Sequence, residues 1–498
     1  MPVAEHVLAH AAERPSRLAV RGPGGELTYA QLADRVKGAA RHLAETGAGP
    51  GTTAAIGLAD PVELLVAVLA ADLAGATPLV GEHTWDRARW AAVTGPLTAA
   101  TGSLSAVTGP LAAVTGPSAT VPAGEPAPHA TRPADRPTPA APPVTVLIDA
   151  PLPYAAGPDV PRRAQPGDLA WACFSSGSTG RPRAIVRTRA SWTDSYPHLN
   201  ALTGIGPDDV VLIPGPLVSS LYAFAALHTL ATGATALLPG RWPGGALADH
   251  LAEATVVHLV PHRLPDVLER PGALRVAVVG GAALAPGARQ AAEKAGVRVV
   301  AYYGATELSF VAADTDGSGL RPFPEVEIEV RGDGPLGEVW VRSPWLAEGY
   351  LGEAAGPLRR DGDGWVSVGD VAEPYHKGGV LRVRGRGDGA IQTGGATVVP
   401  EDVEEVLRKV PGAADAVVVG TPHPSLGSVV TAVIESPFGE PPARALLEEA
   451  ARAALDWAQR PRRWYAMSGL PRTPTGKPAR AQVAARLADG DPAIRRLV

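Results

Sequence analysis

Short apolar runs alternate with amphipathic, alanine-rich stretches over most of the chain before Arg386. Val210–Ile213 and Ala277–Val279 are continuous apolar runs followed by proline or glycine, a pattern typical of buried strands. Helices are predicted over Tyr29–Glu45 and Pro286–Ala295, and the second opens with the proline that suits a first helical position. This alternation predicts α-helices layered on sheets that contain parallel strands.

A separate set of signals follows the loop Gly385–Asp388. Val403–Lys409 is predicted as a helix and Val429–Ile434 as a strand. A segment of this length with its own helix and strand patterns suffices for a small α+β domain. We therefore expect an N-terminal domain over residues 1–386 and a C-terminal domain over 387–498.

The segment 93–143 interrupts the alternation. Val93–Ala99 recurs with small changes through residue 120, and a Pro/Ala-rich stretch follows. Glycine and proline inside nearly every unit exclude a coiled-coil heptad. A composition this poor in large apolar residues cannot offset its ordering entropy, so we expect a flexible surface insertion that acts as a linker rather than a binding element.

Charge and cysteine usage exclude several classes of protein. The formal net charge is -5 and the pI about 6.2, so no global field attracts nucleic acid or an anionic membrane. Cys173 is the single cysteine, lies in an apolar run and is interpreted as a packed core thiol of a protein from a reducing compartment. No signal-peptide pattern or membrane-length apolar run is seen, so a cytoplasmic protein with no membrane span is expected.

The segment Phe174–Arg183 follows an apolar run and is rich in glycine and hydroxyl groups. Glycines let backbone N–H groups approach an anion and hydroxyls add donors, which is how a phosphate cradle is built. The segment is neither a Walker A loop nor a nucleophile elbow. By itself it is either such a cradle or a polar turn.

Three later segments carry further candidate chemistry. Tyr302–Glu307 combines an aromatic face, a glycine, a hydroxyl and a carboxylate, groups suited to adenine, phosphate and Mg²⁺. Trp365–Asp370 ends with a carboxylate suited to a ribose diol, and Leu470–Lys477 is a turn-rich loop that presents one lysine. Each segment alone is weak evidence.

In this order and spacing, the segments resemble the adenylate-forming superfamily of acyl- and aryl-CoA ligases, luciferases and peptide-synthetase adenylation domains. Gly337–Val341, Gly349-Tyr350 and Pro400–Glu404 match further family segments, so the resemblance covers nearly the whole chain. It implies a large N-terminal domain of layered α/β sheets with a β-barrel-like part, and a small mobile α+β C-terminal lid. It also implies ATP, Mg²⁺ and two half-reactions, between which the lid swings about a hinge at Asp388.

The resemblance implies a role for each matching residue. Thr306 would contact the α-phosphate, Glu307 would bind Mg²⁺, and Lys477 would lie between the substrate carboxylate and the α-phosphate. The residues implied to hold the β- and γ-phosphates, the adenine and the ribose are Ser175, Ser176, Gly177, Ser178, Thr179, Gly180, Arg183, Tyr303, Gly304, Ala305, Asp370 and Arg386.

The resemblance also implies binding sites for the acid substrate and for the thiol. Gly394 and Gly395 would line the tunnel for a narrow pantetheine arm. The implied substrate pocket comprises Ser219, Ser220, Tyr222, Gly280, Gly281 and Ala282. His258 is expected to be a satisfied buried histidine, with one polar contact to the tail as the alternative.

Three departures from the family pattern bear on these roles. Arg183 stands where the family's cradle lysine is usual, and it keeps the charge with a different geometry. Pro216–Tyr222 lacks the histidine that many CoA ligases carry there, which puts the gating group in doubt. Gln392 replaces a frequent basic residue after the hinge.

The leading function is an acid–thiol ligase that joins a fatty or aryl acid to coenzyme A. Alternatives are a stand-alone adenylation enzyme that loads the phosphopantetheine arm of a carrier protein, an amide-forming ligase and a non-catalytic adenylate-binding protein. A degenerate sensor would be expected to lack Glu307, Asp370 or Lys477, and all three are present. Incubating acid and ATP with CoA or a carrier protein, read by mass spectrometry, separates the two thiol acceptors.

Deleting residues 93–120 is expected to leave both the fold and the activity intact. Shortening a loop by about half changes its closure free energy by only about 0.6 kcal/mol, and in the stabilising direction. Thermal unfolding and pyrophosphate exchange of the deletion variant check this. Loss of folded protein would show that the repeats pack against the rest of the chain.

Overall fold

The computed structural model describes residues 3–94, 144–160, 165–175, 183–285, 287–332, 334–351, 356–386, 389, 391–393, 396–424, 426–437, 440–473 and 476–497. All but the first two residues of the predicted insertion 93–143 lie outside the described residues. None of the helices in the described ranges combines the length and apolar character needed to cross a bilayer.

The helices agree closely with the sequence pattern. Their bounds are α1 Val3–Glu13, α2 Tyr29–Glu45, α3 Pro61–Ala74, α4 Arg87–Thr94, α5 Arg189–Thr193, α6 Tyr196–Thr203, α7 Ser220–Thr232, α8 Leu247–Glu253, α9 Leu264–Leu268, α10 Ala288–Lys294, α11 Pro400–Leu407, α12 Arg444–Ala454 and α13 Arg480–Ala488. The predicted helix Tyr29–Glu45 coincides with α2. The helix predicted from Pro286 begins only at Ala288, because Gly287 adopts a φ of 77° that a helix cannot contain.

The strands are short and numerous. They are β1 Leu18–Gly22, β2 Gly25–Thr28, β3 Thr53–Ile56, β4 Thr77–Val80, β5 Val144–Ile148, β6 Leu169–Ser175, β7 Arg183–Thr188, β8 Val210–Leu212, β9 Thr235–Leu237, β10 Val256–Leu259, β11 Val276–Gly280, β12 Arg298–Ala305, β13 Ser309–Asp314, β14 Arg321–Pro322, β15 Glu327–Arg331, β16 Gly337–Arg342, β17 Gly349–Tyr350, β18 Arg359–Arg360, β19 Val366–Ser367, β20 Asp370–Ala372, β21 Val383–Arg386, β22 Ile391–Thr393, β23 Ala396–Val398, β24 Asp415–His423, β25 Gly427–Glu435, β26 Arg463–Met467 and β27 Arg495–Arg496. Thus β8, β11 and β25 match predicted strands.

Local side chains set the ends of the first long helices. The Thr28 hydroxyl accepts from the backbone N–H of Gln31, whose side chain accepts from the backbone N–H of Thr28, and this capping box starts α2. Asp60 caps the start of α3, and Gly75 ends it with a φ of 84°. Both helices therefore begin and end where the sequence satisfies their free backbone groups.

Two large sheets enclose the main core. The first has nine strands in the order β14-β13-β12-β11-β10-β8-β9-β1-β2, and the second has six in the order β17-β7-β6-β4-β3-β5. Apolar side chains of α1, α2, α3 and α7 pack between the two sheets, while α8, α9 and α10 cover the outer face of the first. Strands β8 to β12 run parallel at the centre, so their carboxyl ends share one edge.

The part expected to resemble a β-barrel is an open sheet in the described residues. Its order is β18-β19-β16-β20-β21, with β15 paired to β16. The terminal strands β18 and β19 contain two residues each, too few to continue the hydrogen-bond ladder around to β21. The expectation of a barrel-like element is thus corrected to an open antiparallel sheet.

The residues after Ile391 build their own sheet and core. The sheet order is β23-β22-β25-β26-β27, with β24 paired to β25, and α11, α12 and α13 pack on it. The buried carboxylate of Glu404 accepts from the backbone N–H of Val418 and from Arg480, at 2.9 and 2.8 Å. The predicted boundary between residues 386 and 387 falls between β21 of the third sheet and β22 of this one.

Candidate active site

The turn after β12 carries the hydroxyl and the carboxylate of the candidate site. β12 pairs antiparallel with β13, and a β-carbon built at Gly304 would overlap the carbonyl oxygen of Ser309. Only glycine fits such a close approach. The turn consequently presents Thr306 and Glu307 at the edge where the parallel strands of the first sheet end.

Glu307 connects the two large sheets. Its side chain is buried, at 4% exposure, and Oε1 accepts a hydrogen bond of 3.1 Å from the hydroxyl of Tyr350. Tyr350 belongs to β17, which pairs with β7 of the second sheet. The backbone N–H of Ala347 also donates to the carbonyl oxygen of Glu307. A buried carboxylate is costly unless it is hydrogen-bonded, so these contacts hold its position.

Thr306 is held through both its side chain and its backbone. Its hydroxyl lies 2.8 Å from the hydroxyl of Ser220, at the start of α7. The guanidinium of Arg187, 3% exposed, donates to the carbonyl oxygens of Trp345 at 2.6 Å and Thr306 at 3.5 Å. Arg187 also lies over the ring of Trp192, 4.9 Å from its centroid. The guanidinium of Arg187 thus holds the backbone of the turn at Thr306.

The candidate nucleoside residues converge on β20. The hydroxyl of Tyr303 donates a 2.7 Å hydrogen bond to Oδ2 of Asp370, which is buried. Asp370 is the register partner of Arg386 in the antiparallel pair β20–β21. The structure therefore brings together three residues that the resemblance assigns to adenine and ribose.

The phosphate cradle is anchored by a hairpin. Ser175 ends β6, Arg183 begins β7, and the two residues are register partners. Residues 176–180, from Ser176 to Gly180, lie outside the described residues, and so do Asp388, Gly394 and Gly395. The roles assigned to these residues remain predictions.

Lys477 reaches the carboxyl end of β11 from the C-terminal region. A β-carbon built at Gly281 would lie 3.5 Å from Nζ of Lys477, and one built at Gly476 would lie 3.2 Å from Cε1 of His262. Burial lowers the pKa of His262, and the neighbouring Arg263 adds to this effect. The loop that carries Gly476 and Lys477 therefore packs on the first sheet beside the predicted pocket.

Three of the predicted pocket residues, Ser219, Ser220 and Tyr222, lie at the start of α7. The ring of Tyr222 covers Gly215, and the ring of Tyr302 covers Gly280, since a β-carbon at either glycine would overlap the ring. Burial raises the pKa of Tyr222 to about 12. Among the other predicted residues, Ser219 precedes α7 and is buried, whereas Ala282 is exposed.

Sequence reasoning missed two supporting residues. Arg187 was not singled out because an arginine in an apolar strand carries no local sign of its acceptors. Tyr350 lay in a segment matched to the family but was given no role. Both act through contacts with residues more than forty positions away in sequence, so only the folded chain reveals them.

Comparisons with known proteins show the family to which this chain belongs. A family model described as AMP-binding enzyme matches residues 7–351, and one described as AMP-binding enzyme C-terminal domain matches residues 402–477. The chain is 32% identical over 332 residues to the uncharacterized acyl-CoA ligase YhfT of Bacillus subtilis, covering 62% of this chain and 67% of the relative.

Two further likenesses extend over nearly the whole chain. Novobiocin biosynthesis protein H of Streptomyces niveus is 30% identical over 514 residues, with 94% of this chain and 80% of the relative covered. The solved structure of o-succinylbenzoate CoA synthetase from Bacillus subtilis with an acyl-adenylate intermediate has a TM-score of 0.78 at 22% identity, covering 96% of this chain and 97% of that one. The chain therefore belongs to the AMP-binding enzyme family and is an AMP-forming carboxylate ligase.

Replacing Tyr303 with phenylalanine is expected to raise the KM for ATP about tenfold with little change in kcat. The substitution removes one hydrogen bond to a charged carboxylate, which is worth about 1.5 kcal/mol, and with it one of the contacts that position Asp370. Pyrophosphate exchange at varied ATP concentration measures the effect.

Tyr154→Phe is the matched control for this prediction. Its hydroxyl likewise donates to a carboxylate, that of Asp34 at 3.3 Å, but on the exposed surface. The control should keep the wild-type KM. Equal KM values for ATP in both variants would show that Tyr303 does not position Asp370 for the nucleotide.

Proposed function

We propose that the protein activates a fatty or aryl carboxylic acid with ATP and transfers the acyl group to the thiol of coenzyme A. The observation that carries the proposal is the approach of Lys477 to Gly281, at the same sheet edge that presents Thr306 and Glu307. A cation, a hydroxyl and a carboxylate from distant segments thereby face the space in which a carboxylate and a triphosphate would meet.

The first half-reaction joins two anions. A carboxylate oxygen of the acid attacks the α-phosphorus of ATP, the bond to the β-phosphate breaks, and pyrophosphate leaves. Lys477, lying between the two reactants, reduces their repulsion and neutralises the charge that develops in the pentavalent transition state. Thr306, held by Ser220, donates to an α-phosphate oxygen, and the segment 175–180 with Arg183 binds the leaving pyrophosphate.

Glu307 is the residue that would hold Mg²⁺. This ion usually binds one or two carboxylates together with substrate phosphates and water. No group of three or more candidate metal ligands occurs in the part of the chain that the structure describes, so a single buried carboxylate plus phosphate oxygens fits the cation. When bound, Mg²⁺ would neutralise phosphate charge.

The second half-reaction transfers the acyl group. The thiol sulfur attacks the acyl carbonyl carbon, the bond from that carbon to the AMP oxygen breaks, and the thiol proton passes to solvent. Lys477 is not needed for this step, and a swing of the C-terminal region about Asp388 would remove it and bring Gly394 and Gly395 to the tunnel. We propose coenzyme A as the acceptor, while a carrier protein would present the same arm.

The acid is proposed to lack an α-ammonium group. Amino-acid-activating relatives place an aspartate where this chain has Ser220, and no Asp or Glu occurs between Leu212 and Gly240. Burying an ammonium group without a counter-charge costs several kcal/mol. The apolar side chains offered instead along this segment are Val218, Leu221, Tyr222, Phe224 and Leu227.

Lys477→Ala is expected to abolish adenylate formation but largely to spare thioester formation from a supplied acyl-adenylate. The reason is that the lysine stabilises only the phosphoryl-transfer transition state. Pyrophosphate exchange measures the first step, and mass spectrometry of the acyl-CoA product measures the second.

The control is Lys409→Ala, which removes an exposed lysine that pairs with Glu405 in the same C-terminal region. It should keep both half-reactions. A folded Lys477→Ala variant that loses the two steps equally would contradict the account of two conformations.

Medium-chain fatty acids and aryl acids are expected to support pyrophosphate exchange, whereas the common α-amino acids are not. The physical reason is that the segment from Leu212 to Gly240 offers no Asp or Glu to pair with an ammonium group. A panel of acids at equal concentration, scored by exchange of labelled pyrophosphate into ATP, makes the comparison. Robust exchange with one amino acid and none with the uncharged acids would refute the assignment.

A further inference from the structure

The start of α7 meets the turn after β12 through two hydroxyl groups. Oγ of Ser220 lies 2.8 Å from Oγ1 of Thr306, although the two residues are 86 positions apart in sequence. Both residues are partly buried, and among the described residues this is the one side-chain hydrogen bond that either hydroxyl makes. A hydroxyl carries a single proton, so only one of the two donates in this contact. The direction of that bond decides what else each hydroxyl can do.

Both hydroxyls are attached to backbone that is held in place. The carbonyl oxygen of Thr306 accepts from the buried guanidinium of Arg187 at 3.5 Å, and the next residue, Glu307, accepts from the hydroxyl of Tyr350. On the other side of the contact, every residue of α7 from 222 to 230 is buried. Branching at Cβ also restricts χ1 of Thr306. The freedom that remains is chiefly the direction of each O–H bond.

An anion beside Thr306 would set that direction. A hydrogen bond to an ionised acceptor is about twice as strong as one between neutral groups, so the hydroxyl of Thr306 would donate to a phosphate oxygen rather than to Ser220. Ser220 would then donate to the oxygen of Thr306, and two hydrogen bonds in such a chain strengthen each other. Both protons stay on their own oxygens in this arrangement.

The same count leaves Ser220 no proton for the acid. Its hydroxyl, once it donates to Thr306, can only accept, so it cannot donate to a carboxylate oxygen or to an oxygen on the tail of the substrate. The resemblance implies instead that Ser220 lines the substrate pocket. The contact with Thr306 favours a role for Ser220 on the nucleotide side of the site.

We propose that Ser220 is a positioning residue for adenylate formation, which orients the hydroxyl of Thr306 toward the α-phosphate and does not select the acid. This inference rests on the proposed function and assigns Ser220 to its phosphoryl-transfer step. Negative charge develops on the α-phosphate oxygens in that step, and a donor that is already aimed at them stabilises the transition state without first having to turn.

Ser220→Ala tests the role with the two substrates varied separately. Pyrophosphate exchange is measured at varied ATP and at varied acid, with an acid that the wild-type protein activates. The kcat/KM for ATP should fall about tenfold, the loss typical of one hydrogen bond to a charged group, while the KM for the acid stays at the wild-type value. Ser220→Thr keeps the hydroxyl and should restore most of the exchange. A higher KM for the acid with an unchanged kcat would overturn the inference.

A double-mutant cycle determines whether Ser220 acts through Thr306. Thr306→Val removes the hydroxyl at nearly constant shape, and adding Ser220→Ala to it should cause no further loss, because no hydroxyl is left to orient. Losses that multiply, as they do for independent sites, would contradict the proposed role. The control is Thr232→Ala, which removes a hydroxyl at the other end of the same helix and should keep the wild-type exchange.

Ser220→Asp separates the nucleotide role from a substrate role. A carboxylate only accepts, so Thr306 would donate to it and lose its proton for the phosphate. Exchange should therefore fall further than in Ser220→Ala with every acid in the panel, and the α-amino acids should remain inactive. Exchange gained with an α-amino acid would show that position 220 faces the substrate, and the inference would be wrong.

Failure of the inference differs from failure of the proposed function. In the first case, the wild-type protein supports exchange with an acid, and folded Ser220→Ala matches it at every ATP concentration. In the second case, the wild-type protein supports exchange with no acid in the panel, which contradicts both. Thermal unfolding identifies the folded variants. Should Ser220→Ala fail to fold, Ser220→Cys, whose thiol is only a weak donor, carries the same expectation.

Discussion

The burial of the Glu307 carboxylate is the constraint on which the candidate site depends. A carboxylate at the junction of two sheets is tolerated only if its oxygens are satisfied. Tyr350, from the second sheet, donates one hydrogen bond to the carboxylate, and the backbone N–H of Ala347 donates to the backbone carbonyl oxygen of the same residue. The position of Glu307, the proposed metal ligand, therefore depends on how the two sheets pack. A shift of either sheet would displace its carboxylate.

Two cations lie at the candidate site, one in each part of the chain. Arg187 is buried, stacked on Trp192 and hydrogen-bonded to backbone carbonyl oxygens, so its position is fixed. Lys477 comes from a loop of the C-terminal region and lies beside Gly281, at the carboxyl end of β11. A fixed cation can orient the turn throughout, whereas a cation on a separate domain can serve one half-reaction and be withdrawn for the next. The proposed two-step chemistry uses both the fixed cation, Arg187, and the cation on the separate domain, Lys477.

Local pattern predicted many of the elements. The helix α2 follows from hydrophobic periodicity, whereas the strands β8, β11 and β25 follow from short continuous apolar runs, and β11 is buried at every position. The part expected to resemble a barrel is an open sheet. Whether a sheet closes depends on how its edge strands pair, which the local sequence pattern does not show. The start of α10 was misplaced because the conformation of Gly287 is set by the turn that precedes it.

The sequence by itself determined which chemical groups are available: the motifs that supply Thr306, Glu307, Asp370 and Lys477, and a segment from Leu212 to Gly240 without Asp or Glu. Motif chemistry is local, so it can be read without the fold. Only the tertiary structure decided that Tyr303 holds Asp370 and that Tyr350 holds Glu307. Hydrogen bonding and burial depend on distances between segments far apart in sequence, and these distances exist only in the folded chain.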